Sequence, residues 1–510
     1  MSKAFYLTTA IDYVNALPHV GTAYEKIGAD ALARFMRLKG VETYFLMGVD
    51  EHSANVERQA REKGVPPQAY CDEMSGEFEA VWRALGISYD RFIRTSQRTH
   101  VETVRILFKT IHERGDIYRG TYRGWYCLSC EAFLKDPDLV DGLCPAHEKK
   151  PQWIEEENYF FALSRYQDAL RKHIEDHPSF IRPEIRRNEI VRFLSEGLED
   201  ISISRAGVEW GIRCPLDESQ AIYVWFDALI NYVSGAGYLD EPEAYVRRWP
   251  ADVHIIGKDI TRFHCLIWPA MLMAAGLPLP GSVWAHGFVH LGGEKMSKTR
   301  GTTVDPVSIA REYGADSLRY FLLREVPFDR DGEFTMEKFL NRYQADLAND
   351  LGNLCQRTLV LIMKYLDGAI PAPSADVTAA DGALRGVLAD VREPFCHDME
   401  ELRFSAALER LWSAVAHCNR YIDESAPWKL RKDAKKQARF ATVVYNLCEA
   451  LRVFSILIQP IMPMTAAAIR AQLGLPTSVA AGALSDAGAF GLCAPGATIG
   501  EVRPIFPRKD

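Results

Sequence analysis

At 510 residues, 48% of them hydrophobic and 25% charged, the chain is long enough for about two to four domains, each burying its own core. Sixty basic residues against 68 acidic ones leave a formal charge of −8, which excludes an overall cationic nucleic-acid coat but leaves room for a local basic patch. Residues Met1 to Thr9 lack the charged head and sustained apolar stretch of a secretory signal, and the apolar run Leu266 to Pro280 is broken by prolines and a glycine. A soluble, cytoplasmic protein is expected, with no membrane partner.

Ala4 to Thr9 is a short β-prone run and is predicted to be a strand. Val20, Tyr24, Ile27, Ala31, Phe35 and Leu38 then recur at helical spacing, and Gly40 is placed to end that helix. Thr43 to Met47 predicts a second strand, running into Asp50-Glu51-His52. Strand, crossover helix and parallel strand predict a doubly wound, Rossmann-like α/β domain with ligands at the carboxyl ends of its strands. From Arg119 to Trp210 aromatic β-prone runs flank a cysteine-rich knot, which reads as an insertion. The α/β pattern returns with predicted strands at Ile222 to Phe226 and Val253 to Ile256, and Asp259 is placed to cap a helix reaching about Ala275. Beyond Asp305 the pattern is helical, and Leu473 to Gly500, rich in Ala, Gly and Ser, reads as loosely structured. The expected division is 1–118 and 216–290 for the two halves of the catalytic domain, 119–215 for the insertion, 291–348 for the Lys295-Met296-Ser297-Lys298 loop and a stem-contact region, and 349–510 for an all-α bundle.

Three motifs carry chemistry. Pro18-His19-Val20-Gly21-Thr22 opens the first helix, where free N–H groups and the positive dipole end suit a phosphate. His19 adds a donor, Gly21 permits close approach of a nucleotide and Thr22 offers a hydroxyl, although capping is the commoner role of such residues. Gly292-Gly293-Glu294-Lys295-Met296-Ser297-Lys298-Thr299 places Lys295 and Lys298 behind a glycine turn, a cationic loop able to neutralise a polyphosphate. Cys127, Cys130, Cys144 and His147 form two tight pairs with the spacing of a closed tetrahedral site, predicting one structural Zn²⁺ per chain in a zinc-knuckle insertion. The other eight cysteines (Cys71, Cys214, Cys265, Cys355, Cys396, Cys418, Cys448, Cys493) are scattered and read as small buried hydrophobes in a reducing compartment.

The first two motifs together, in this frame and order, resemble the class I aminoacyl-tRNA synthetases. Tyr6 to Ile11, Tyr13-Val14-Asn15, Asp50-Glu51-His52, Tyr223 to Ala228, Ile256 to Asp259 and Phe263-His264 narrow the resemblance to the methionyl-tRNA synthetase family, from about residue 4 to at least 460. The resemblance implies a ligase that uses ATP with Mg²⁺ to activate L-methionine and passes it to tRNA(Met), and a helical anticodon-binding bundle; a monomer is expected. It implies a methionine pocket of Ile11, Tyr13, Trp225, Tyr232, Phe263 and His264, with Asp50 on the substrate ammonium. It assigns Gly257 and Asp259 to the adenosine, and His19, Thr22, Lys295 and Lys298 to the reacting phosphates. Asn353 and Arg357, one helical turn apart, and Trp428 would read the anticodon. A basic strip follows, formed by Lys429, Arg431, Lys432, Lys435, Lys436 and Arg439.

Three positions depart from the family pattern: Thr22 stands where a second histidine is usual, Ser53 where a glycine follows Asp-Glu-His, and Asp12 where a proline or neutral residue is expected. Two other readings stay open: a diverged paralogue activating another amino acid or using a non-tRNA acceptor, and a catalytically weak tRNA-binding regulatory protein.

Overall fold

A computed structural model describes residues 3–129, 131–145, 148–291, 294–295 and 303–508, with Ala132 and 294–295 given by backbone alone. The chain forms two compact units, one made of residues 1–18, 44–81 and 89–286, the other of 19–43, 82–88 and 287–510.

The first unit is organised on a seven-stranded sheet in the order Asp12–Tyr13, Thr43–Asp50, Phe5–Thr9, Val253–Gly257, Val283–His286, Ile181–Arg182, with Arg91–Arg94 also paired to Thr43–Asp50. Phe5–Thr9 and Val253–Gly257 run parallel, as do Asp12–Tyr13 and Thr43–Asp50, so their carboxyl ends gather on one edge. Covered on both faces, these strands are near-continuous apolar runs, such as the buried Phe45, Leu46 and Met47.

The 222–226 run departs from expectation. The strand Asp217–Ile222 stops short, and Val224–Leu229 is a helix carrying Trp225 and Phe226. Aromatic β-propensity is weak against tertiary packing, and here Phe226 is buried within the core. The helix expected after Asp259 is likewise divided into a 3₁₀ turn Lys258–Ile260, a π-turn Phe263–Ile267 and the α-helix Trp268–Ala275. Pro269, in the first turn of that last helix, has no N–H for an α-type bond, which accounts for a π-turn ahead of it.

The cysteine-rich insertion is a four-stranded antiparallel sheet in the order Ala132–Leu134, Ile117–Cys127, Gln152–Phe161, Ile201–Ser202.

The second unit contains the helix Val20–Leu38, a small sheet of Glu294–Lys295, Val289–Leu291 and Gly332–Phe334, and a bundle including Asn353–Tyr365, Ala379–Asp390, Phe404–Ser425 and Gln437–Leu457. A buried ion pair, Arg319 to Asp30 at 2.6 Å, joins the first helix to later chain. Burying two charges is tolerable only when the remaining polar atoms are satisfied. Arg319 also donates to the carbonyls of Ile461 at 2.7 Å and Pro460 at 3.2 Å, and Arg34 donates to Asp30 at 2.8 Å.

The stretch from Leu473 to Gly500 is docked rather than loose. Arg452 donates to the carbonyls of Asp486 at 2.8 Å and Ala489 at 2.6 Å, and Tyr445 to that of Cys493 at 3.0 Å. Anchoring through backbone carbonyls leaves no side-chain pattern to read. Ala434–Leu457 is long and apolar enough to cross a membrane, but 94% of its apolar window is buried inside the fold, as in a core helix.

Candidate active site and anticodon face

The expected amino-acid pocket is assembled from one sheet edge and two helices of the first unit. Strand register sets Tyr13 directly opposite Asp50. Trp225 meets Tyr13 edge-on with ring centroids 6.1 Å apart, and stacks on Phe263 at 4.1 Å, while Ile11 packs against the adjoining core. The π-turn aims His264 at Tyr232, with the Tyr232 hydroxyl 2.7 Å from His264 Nε2. Because His264 Nδ1 lies 3.0 Å from the Ile260 carbonyl, which can only accept, Nδ1 carries the proton and Nε2 accepts from Tyr232. The same logic fixes His254 behind it. Trp268 Nε1 donates to His254 Nε2 at 3.2 Å, so His254 Nδ1 donates to Thr8 Oγ1 at 2.7 Å. Burial, reinforced by His264, holds His254 well below the usual histidine range.

Asp50 is the electrostatic anomaly of this pocket. It ends the strand Thr43–Asp50, is 4% exposed, and its Oδ1 has no hydrogen-bond partner among the described residues. Burial, then the Asp227 and Glu131 carboxylates, push its pKa well above the carboxylate range. A buried carboxylate so placed is costly until a cation arrives. Asp227 contrasts with it. Burial raises its pKa too, but His52 at 2.7 Å and His100 at 2.6 Å outweigh burial and hold the carboxyl below its ordinary value. Each ring must donate to the carboxylate, His52 through Nδ1 and His100 through Nε2. Gly257 makes room for Asp259, since a Cβ there would lie 2.7 Å from Asp259 Oδ1.

In the second unit His19 is the N-cap of Val20–Leu38, its Nδ1 accepting from the Thr22 N–H at 3.2 Å. The capping role therefore holds, and it also places the proton of the neutral ring on Nε2, making that nitrogen a donor. A Cβ at Gly21 would lie 2.9 Å from His19 Cε1, so the glycine makes room for the histidine ring itself. Val20 N–H donates to the Val304 carbonyl at 3.0 Å, tying the chain that leaves the lysine motif to this helix start. Glu294–Lys295 pairs antiparallel with Val289–Leu291. The Lys295 side chain and Lys298 lie outside the described residues.

The insertion contains two turns of matching register. Cys127 pairs with Ala132, and Cys144 with Lys149, each five residues on. Glu131 and Glu148, one before the closing residue of each turn, both have left-handed backbones, with φ of 52° and 53°. Cys127 and Cys144 are buried. Cys130 and His147, the third and fourth expected ligands, lie outside the described residues, and the described residues alone hold no group of three metal-binding side chains.

On the helical bundle Asn353 is exposed, and the Arg357 guanidinium lies 5.3 Å from the Trp428 ring while pairing with Asp423. Ala426, left-handed at φ 43°, ends Phe404–Ser425 and turns the chain so that Trp428 stands 38% exposed. Arg431 stacks 3.8 Å over Tyr365. Lys429, Lys432, Lys435 and Lys436 are exposed, whereas Arg439 points inward to Asp381 at 2.6 Å and is a structural member of the strip.

Comparison with known proteins decides the family. The model of class I tRNA synthetases (M) matches residues 5–151 and 138–359, and the anticodon-binding domain of tRNA ligases matches 383–487. A methionine–tRNA ligase of Caldanaerobacter subterraneus is 47% identical, covering 100% of this chain and 80% of its own. The chain belongs to the methionyl-tRNA synthetase family. Another methionine–tRNA ligase, of Streptomyces coelicolor, is 42% identical over 100% of this chain and 97% of its own. Among solved structures, Mycobacterium tuberculosis methionyl-tRNA synthetase in complex with methionyl-adenylate superposes with a TM-score of 0.95 at 44% identity, covering 99% and 100% of the two chains.

Within this synthetase fold, reasoning from sequence missed four residues that shape the pocket. His52 and Asp227 stood in quoted motifs without a role. His100 sits on the amphipathic helix Arg98–Glu113 and reads as core. Glu131 was hidden beside Cys130. Ser53, noted only as a departure, caps the helix Ala54–Lys63 and donates to Glu131.

Proposed function

We propose that the chain performs the two-step methionyl-tRNA synthetase reaction with the residues gathered above. Asp50 receives the methionine ammonium, the observation that carries this reading being its buried Oδ1, without a hydrogen-bond partner among the described residues, at the end of a parallel strand. Ile11, Tyr13, Trp225 and Phe263 flank the thioether, which packs well on ring edges, and the Tyr232–His264 pair closes the pocket. The methionine carboxylate attacks the α-phosphate of ATP and pyrophosphate leaves. The 3′-terminal ribose hydroxyl of tRNA(Met) then attacks the adenylate carbonyl and AMP leaves. Gly257 and Asp259 hold the adenosine, Gly21 and Thr22 line the phosphate approach, and His19 Nε2, Lys295 and Lys298 meet charge developing on the phosphates. Mg²⁺ accompanies the ATP and shares that neutralisation.

Asn353, Arg357 and Trp428 receive the anticodon, an unstacked base having an aromatic face and a guanidinium to meet. A structural Zn²⁺ is held by Cys127, Cys130, Cys144 and His147. The donor set suits it, and the matched turns support it, since each offers its second ligand three residues after the first.

ATP–pyrophosphate exchange across a panel of amino acids tests the reading. Exchange with methionine alone is expected. Exchange with another amino acid supports the paralogue, and none with any supports the binding protein. One equivalent of zinc per chain is expected in metal analysis, and none would remove the zinc assignment.

A further inference from the structure

Two turns of the insertion are closed by matching pairs, Cys127 with Ala132 and Cys144 with Lys149, yet the glutamates before the closing residues differ. Glu148 is exposed, whereas Glu131, at the corresponding place and with the same left-handed backbone, is 1% exposed. Turn geometry therefore does not require Glu131 to be buried, and burying a carboxylate is costly without partners.

Its partners lie at the pocket. Glu131 Oε1 accepts from Ser53 Oγ at 3.0 Å and from the Asn55 backbone N–H at 3.2 Å, occupying the N-terminus of Ala54–Lys63, where anions are favoured. That helix begins directly after Asp50-Glu51-His52. The Glu131 carbonyl accepts from the Tyr223 hydroxyl at 2.6 Å, two residues before Trp225. The grip is mutual, because the Asn55 side-chain amide donates to the Ser129 carbonyl at 3.3 Å. The Glu131 carboxyl also lies beside the Tyr13 side chain, with Asp50 close enough to interact electrostatically with both.

We propose that Glu131 is a positioning residue for methionine recognition: it buckles the insertion to the chain following Asp50 and to Tyr223, and so fixes the carboxylate and the indole between which the amino acid sits. Ser53, the departure from the family glycine, supplies the hydroxyl half of the buckle. This rests on Asp50 being the ammonium partner.

The test measures KM for methionine and for ATP in pyrophosphate exchange, methionine binding by calorimetry, and melting temperature. The variants are Glu131→Ala, Glu131→Gln, Ser53→Ala, the Ser53→Ala/Glu131→Ala pair, Glu148→Ala and Asp50→Asn. Glu131→Ala should raise the methionine KM by roughly 10-fold or more, as loss of hydrogen bonds to a buried charged group does, with the ATP KM changed by less than about 2-fold. Glu131→Gln, which keeps an acceptor for Ser53 and Asn55, should recover most of the affinity. Ser53→Ala should act in the same direction and less than additively with Glu131→Ala. Glu148→Ala should match the parent. Equal losses toward methionine and ATP, or an equal loss in Glu148→Ala, would mean a merely structural role and overturn the proposal. An unchanged methionine KM in Glu131→Ala, beside a large rise in Asp50→Asn, would overturn it alone. An unchanged KM in Asp50→Asn would overturn the ammonium assignment and this proposal with it.

Discussion

The proposed amino-acid pocket and the proposed anticodon face are built in opposite ways. In the proposed pocket the imidazoles are fully engaged, with His254 and His264 fixed in single tautomers and Asp227 shared between two imidazoles. What stands out beside them are buried polar atoms with no hydrogen-bond partner among the described residues, Asp50 Oδ1, the Tyr13 hydroxyl and Trp225 Nε1. On the bundle the two arginines are half-buried and already have partners, Arg357 with Asp423 and Arg431 with Tyr365, beside the exposed Asn353 and Trp428. A buried site advertises its ligand through what is missing, whereas a surface advertises it through what is presented. The first signal is energetic and the second compositional.

Substituting Asp50 probes the contrast hardest. Asp50→Asn should raise the methionine KM by about 100-fold or more, since one half of a buried charge pair is lost. The same change should not lower stability at neutral pH. A carboxyl whose folded pKa lies above its unfolded value contributes stability at low pH, and loses it as pH rises through the raised value. Paired pyrophosphate-exchange and urea-unfolding measurements would show both effects. By the same sign, methionine binding in the parent should weaken as pH falls through that raised pKa and should release protons. Calorimetry in two buffers of different ionisation enthalpy would detect the release, and its absence would mean that Asp50 is already ionised before methionine binds.

The basic strip sharpens the other side. Arg439→Ala leaves the buried Asp381 carboxylate without its ion pair and should cost about 3 kcal/mol of stability, measured by urea unfolding of the whole chain. Lys435→Ala and Lys436→Ala should leave stability within about 0.5 kcal/mol and instead reduce the salt dependence of tRNA binding. If all three variants unfolded alike, the division of the strip into structural and RNA-facing members would fall. A separate effect, on charging alone, is expected at Trp428. Trp428→Ala should leave pyrophosphate exchange unchanged and weaken tRNA charging by roughly 10-fold, the worth of one stacked base. Equal loss in both assays would mean that the two surfaces are not separable.

Much of this was legible in the chain. The Phe5–Thr9 strand, the helix from Val20 and the strand at Val253 follow from periodicity, because each buries a continuous stripe or face. Trp225 was misplaced onto a strand since its aromatic neighbours favour sheet locally, and only the packed core decides for helix. The π-turn at Phe263 was unreadable for a similar reason, its cause lying at Pro269, further along the chain. Of the pocket, the residue types were legible and their couplings were not. Nothing in Ser53 or Glu131 announces that residues 78 positions apart share a hydrogen bond.

The Arg319–Asp30 pair has a consequence in time. Residues 19–43 belong to a unit whose main body begins at residue 287, and Arg319 is itself satisfied by the carbonyls of Pro460 and Ile461. On a ribosome adding about 5 to 20 residues per second, the first helix waits on the order of 20 to 80 s between its own synthesis and the arrival of those carbonyls. The amphipathic segment that follows His19 is among the first made, so throughout that interval its apolar face lacks the later-made chain against which it is buried.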